Sequence, residues 1–128
     1  MTGSQDLVIL KNDFERLISL VNTVQNETSE LLEDELNRAK IVDRNSLPSD
    51  IVTMNSIVTF RDEAADKELT MKLVYPNDVN EKDGVQRVSI LAPVGAALIG
   101  LRVGGSIDWP LPSGKIKKLR VLSVKEVL

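Results

Sequence analysis

Cysteine and histidine are both missing from this 128-residue chain, and each absence closes off a class of chemistry. Without cysteine there can be no disulfide, no thiol nucleophile and no thiolate metal site, a composition that fits a reducing compartment. Without histidine the commonest general base and usual transition-metal ligand are lost, and a phosphohistidine cannot form. Hydrolytic or zinc chemistry would have to rest on carboxylates, lysine or tyrosine. Aromatics are scarce, with only Phe14, Phe60, Tyr75 and Trp109 in the whole chain. Net basic charge is lacking too, at -3, so the main task is not to coat phosphates. No apolar run approaches the roughly 20 residues of a membrane span. The start, "MTGSQDLVILKND", has neither a basic stretch nor a long apolar segment, which points to a cytoplasmic protein.

What the chain does have is 42% hydrophobic composition, enough for one core with a small appendage. "DLVIL" (Asp6 to Leu10) reads as either a short strand or an anchoring tail. From Asn12 the period becomes helical: Phe14, Leu17, Ile18, Val21 and Val24 form one stripe. Asn12 and Glu15 have the spacing of a capping pair. "QNETSE" (Gln25 to Glu30) interrupts the stripe, and Thr28 or Ser29 can cap a second helix carrying Leu31, Leu32, Leu36 and Ala39, with Asp34 and Arg38 as an i, i+4 pair. Two amphipathic helices on a short polar loop predict an antiparallel hairpin. Its stripe suffices to pair within one chain, which favours a monomer. "DRNSLPSD" (Asp43 to Asp50) then serves as a linker.

Beyond Asp50 the period is two. Val52, Met54, Val58 and Phe60 share one strand face, and Leu69, Met71, Leu73 and Tyr75 another, with "RDEAAD" as the loop between. A longer loop, "PNDVNEKDG" (Pro76 to Gly84), leads to a third strand at Arg87 to Leu91. Val94, Ala97 and Leu98 then make a short helical stripe after Pro93, ended by a left-handed Gly100. Strands at Ser106 to Leu111 and Lys115 to Val124 flank a "PSG" turn. The predicted class is α+β: a short helical arm over residues 1–45, and an antiparallel sheet domain over 46–128 whose one short helix plugs an open face. Gly95, Ala96 and Ala97 would let that helix approach the concave sheet.

The segment "VSILAPVGAALIGLRVGGSIDWPLPSGKIKKLRVLSV" resembles the carboxy-terminal domain of the bacterial transcript cleavage factors GreA and GreB. With "DIVTMNSIVTF" and "LVYP" upstream and a short helical arm, the chain is similar to one branch of that superfamily, the Rnk proteins, regulators of nucleoside diphosphate kinase. The resemblance implies an FKBP-like fold that docks on a coiled coil at the rim of the secondary channel of RNA polymerase. It also implies a hairpin whose acidic tip, in the cleavage factors, helps to hold magnesium in the active site. The docking loop would correspond to Leu91, Ala92 and Pro93. Here the chain departs from the family, which tends to show Asp-Ser-Pro or Asn-Ser-Pro, and Gly105 replaces a usual aspartate.

Reach then limits function. A first helix of about 13 residues spans roughly 20 Å, whereas the resembled factors have helices about twice as long or more. The hairpin tip, Asn26, Glu27 and Glu30, offers an acidic pair, but two glutamates near a helix start more commonly serve the helix dipole. The expectation is a polymerase-binding elongation regulator with no catalytic residue, no metal and no cofactor, which competes with Gre factors instead of cleaving transcripts. A second reading is binding regulation of nucleoside diphosphate kinase. Prolyl isomerase activity, suggested by fold analogy alone, lacks the aromatics for its pocket. Lys115, Lys117, Lys118 and Arg120 form a candidate basic patch, but with no interleaved aromatics it offers only weak or indirect contact with nucleic acid. A solvated outer face is the favoured reading of that patch.

Overall fold

The computed structural model describes residues 7–80, 84–111 and 113–125. Asp6 of the first apolar run, residues 81–83 of the long loop and Pro112 of the "PSG" turn lie outside them.

Strand β1 (Val8–Leu10) is buried along its length and leads into helix α1 (Lys11–Thr23). Leu10 is the residue before the first turn of α1 and makes no side-chain cap. The expected Asn12 and Glu15 pair therefore lies one step inside the helix. The Asp13 carboxylate in the first turn accepts the Met54 N–H at 3.2 Å and ties α1 to the segment before the main sheet. Helix α2 (Glu27–Arg38) starts one turn later, and its cap is Asn26 instead of Thr28 or Ser29. The Asn26 Oδ1 accepts the Ser29 N–H at 2.8 Å, while the Ser29 Oγ accepts the Asn26 N–H at 2.9 Å. This reciprocal box satisfies two otherwise orphaned donors and stabilises the helix start by about 1 kcal/mol. Arg38 pairs with the Glu35 carboxylate at 2.7 Å and donates from Nε to the Asp34 carbonyl at 3.4 Å.

After α2, strand β2 (Lys40–Val42) runs parallel to β1, with Ile9 opposite Ile41. The stretch expected to be a linker holds this strand's exit and a single 3-10 turn at Arg44–Ser46, capped by the Asp43 carboxylate. The main sheet follows: β3 (Ile57–Asp62), β4 (Lys67–Val74), β5 (Arg87–Ser89), β6 (Ser106–Pro110) and β7 (Ile116–Lys125), in the spatial order β5-β4-β3-β7-β6. Its pairings are antiparallel except that β5 joins β4 in parallel. Val52 and Met54 do not extend β3. Asn55 takes φ +70°, and the Ser56 hydroxyl donates to the Thr53 carbonyl at 2.7 Å, folding residues 53–56 into a turn.

Helix α3 (Pro93–Leu98) packs against β5, β6, β7 and also α2. One apolar cluster runs through the molecule, joining Leu17, Val21, Leu32 and Leu36 of the hairpin to Phe60, Leu73, Leu98 and Trp109. Each such buried aliphatic side chain contributes about 2 kcal/mol by leaving water. Gly100 has φ +82°, as a helix-ending glycine requires, and its carbonyl accepts the Val8 N–H at 3.2 Å. That bond stitches β1 to the end of α3.

Candidate functional site

Residues 89–95 are a turn held by backbone and one hydroxyl. The Ser89 Oγ accepts the Leu91 N–H and the Ser89 carbonyl accepts the Ala92 N–H, both at 3.0 Å. Ala92 is extended, as the residue before proline must be, and Pro93 opens α3 with its fixed φ where no N–H partner is needed. Gly95 determines how close the helix can come. A Cβ there would fall well inside van der Waals contact of the Ser89 carbonyl oxygen and 2.9 Å from its carbon. The small residue thus permits close approach to the β5 exit, where the sequence suggested the concave sheet. Leu91, Ala92, Pro93 and Val94 are all half-buried and leave an uncharged apolar rim at this end of the sheet. Nothing in that rim can transfer a proton or hold a metal. It can make apolar contact with a partner.

At the hairpin tip, Asn26 is committed to its capping box. Glu27 and Glu30 are exposed in the first turn of α2, where the helix dipole favours negative charge. Thr28 and Ser29 between them are buried.

The four basic residues do not form one patch. Alternation along β7 places Lys117 on the core side with Leu119, while Lys118 and Arg120 lie on the outer face and Lys115 precedes the strand. Lys117 Nζ reaches the buried Asp62 carboxylate at 2.6 Å. The hydrogen bond from Lys117 holds the Asp62 carboxyl below the usual carboxylate range, against the opposing effect of burial. Arg120 pairs with Glu63 at 2.9 Å, and Lys118 lies 3.9 Å from Asp108. Arg61 contacts Glu63, Asp66 and Glu68 beside them. The outer face carries mixed charge, so its cations offer phosphates little net attraction.

One feature that spacing alone did not disclose lies between α1 and the loop after β4. An open cleft of about 300 Å³ is lined by Arg16, Ser19, Leu20, Thr23, Tyr75, Pro76 and Asn77. The Arg16 guanidinium lies 3.7 Å from the centroid of the Tyr75 ring. Burial, together with the nearby Asp13 charge, pushes the Tyr75 hydroxyl above its ordinary range. Arg16, Ser19, Leu20 and Thr23 share a helix face by their spacing, but nothing in that spacing brings Tyr75 alongside.

The model of the family "Transcription elongation factor, GreA/GreB, C-term" matches residues 47–126. The regulator of nucleoside diphosphate kinase of Escherichia coli (strain K12) is 42% identical over 97 residues, which cover 76% of this chain and 70% of that protein. Transcription elongation factor GreA of Azorhizobium caulinodans is 37% identical over 83 residues, 65% of this chain and 52% of that one. Among solved structures, the prokaryotic transcription elongation factor GreA/GreB from Nitrosomonas europaea superposes with a TM-score of 0.74 at 43% identity, over 95% of this chain and 99% of that one. These matches agree with the α+β architecture and with the resemblance carried by residues 88–124, and the chain belongs to the GreA/GreB family of transcription elongation factors.

Proposed function

We propose that this protein is a cytoplasmic, monomeric regulator of transcription elongation that binds RNA polymerase at the rim of the secondary channel. In this reading residues 46–128 form the docking domain, with Leu91, Ala92 and Pro93 as its contact, and residues 1–45 form the arm. It has no transcript cleavage activity and competes with longer Gre factors for the same rim. The observation that carries the reading is length. Helices of 13 and 12 residues reach roughly 20 Å at about 1.5 Å per residue, too short to carry Glu27 and Glu30 from the rim to a catalytic magnesium. The GreA match supports this, since it takes in 65% of this chain and only 52% of that relative. No cofactor is needed for such a role. Contact with nucleic acid is secondary, in keeping with the acidic partners of Lys117, Lys118 and Arg120.

The test is a stalled elongation complex with a Gre factor present. Adding the protein should suppress Gre-dependent cleavage, and alone it should produce none. Cleavage by the protein itself, or no suppression at about 10 μM, equivalent to roughly -7 kcal/mol of binding, would overturn the reading.

The name of the Escherichia coli relative favours a second reading, binding to nucleoside diphosphate kinase. Lacking histidine, the chain could act there only by contact or through expression of the kinase. Titrating purified kinase with the protein separates these routes: a saturable change in its activity means direct contact.

A further inference from the structure

We infer that the cleft between α1 and the loop after β4 is a binding site for a small oxyanion, a phosphate or carboxylate borne on a small molecule. The inference is independent of polymerase docking. It starts from Arg16. The chain has 19 acidic residues against 16 basic ones, yet among the described residues Arg16 forms no ion pair. Its guanidinium lies over the Tyr75 ring instead, at 3.7 Å from the centroid. At that distance the ring engages the guanidinium carbon and forms no hydrogen bond with its N–H donors, which stay available to two oxygens of one anion. Because the ring holds the group in place, less side-chain freedom is lost on binding.

The surroundings fit the same ligand. Ser19 and Asn77 bring a hydroxyl and an amide to the cleft as donors, whereas Thr23 spends its hydroxyl proton on the Ser19 carbonyl at 3.0 Å and offers the anion none. Leu20 and Pro76 supply an apolar wall for the body of the ligand. Asp13, whose charge also reaches Tyr75, opposes an anion here, and its Oδ2 is turned to the Met54 N–H, so Arg16 must supply the attraction. A volume of about 300 Å³ lies at the lower end of the roughly 300–1,000 Å³ typical of small-molecule sites, so the ligand is small.

The experiment is an NMR titration of the uniformly ¹⁵N-labelled protein with inorganic phosphate and with acetate, at constant ionic strength maintained by chloride. The expected result is a saturable shift of the Arg16 Nε–H and of the Ser19 and Asn77 amides. Arg16→Gln should weaken that binding at least tenfold. Ser19→Asp should do the same by placing a competing carboxylate beside the guanidinium while leaving the stack in place, and its thermal melting should match the parent. Non-saturating shifts reproduced by chloride would reduce the effect to ionic screening and overturn the proposal. So would binding that survives Ser19→Asp, or binding of a short acidic peptide where neither small anion binds.

Discussion

The helical hairpin and the 89–100 segment meet the same core with opposite kinds of side chain. The hairpin fills space with Leu17, Val21, Leu32 and Leu36, whereas α3 presents Gly95, Ala96 and Ala97 and brings its backbone against the exit of β5. The difference is one of tolerance. A large side chain can be shortened and the neighbours relax in part, but a backbone contact closed by a missing Cβ has nothing to give. Position is thus set most tightly in the segment that carries the proposed docking loop, and volume is supplied by the hairpin.

The largest effect expected is at Gly95. Gly95→Val would force the Ser89 carbonyl away from α3 and cost about 3 kcal/mol or more, read by urea unfolding. Gly104→Ala, at φ +86° with no atom within 4 Å of the added Cβ, should cost only about 1 kcal/mol and isolates the backbone contribution. Equal costs at the two positions would erase the contrast between close approach and simple turn strain.

Leu32→Ala comes next, at about 2–4 kcal/mol, because Leu32 is fully buried. Unfolding should stay a single transition, since one apolar cluster joins the hairpin to the sheet. A hairpin that melts separately while the sheet persists would break the comparison at its root.

These two regions also differ in how far they were legible from the chain. The hairpin stripes, the Gly100 stop and the β6–β7 pair follow from local period and turn residues. Both parallel pairings were not legible, because β1 meets β2 across the whole hairpin and β5 returns to β4 through a long loop. The strand expected at Val52 and Met54 failed on Asn55, whose positive φ and neighbouring Ser56 hydroxyl turn the chain. In the site, Leu91 to Pro93 could be singled out only by family resemblance, since an apolar turn carries no chemistry to recognise. Of the candidate basic residues, the strand's own alternation sends Lys117 inward to Asp62 and leaves Lys118 and Arg120 on the solvated outer face that was the favoured reading. Arg16 and Tyr75 meet from distant segments that no local pattern links.

The sheet provides a control on electrostatics. Asp62→Asn should cost about 1 kcal/mol at pH 7 by removing the charge that Lys117 faces. A carboxyl held below its ordinary pKa stabilises the fold above that ordinary value and ceases to do so as pH falls through the folded value. The parent and the variant should therefore converge as unfolding is measured from pH 5 down to the acid side of both values. Divergence on acidification would assign the pair a different role.

The smallest effect is expected at the hairpin tip. Glu27→Gln and Glu30→Gln should each cost about 0.5 kcal/mol or less at low salt, fading as ionic strength rises. Magnesium should stabilise the parent no more than the double variant. A magnesium-dependent rise in the parent alone would make the two glutamates ligands.

The most direct measurement is fluorescence anisotropy of the labelled protein titrated with core RNA polymerase, run in parallel with Leu91→Asp and Pro93→Ala variants that melt like the parent. Saturable binding at or below about 10 μM is predicted, weakened at least tenfold, or about 1.4 kcal/mol, by Leu91→Asp and measurably by Pro93→Ala. No binding by the parent, or equal binding by all three proteins, would contradict docking through the 91–93 loop.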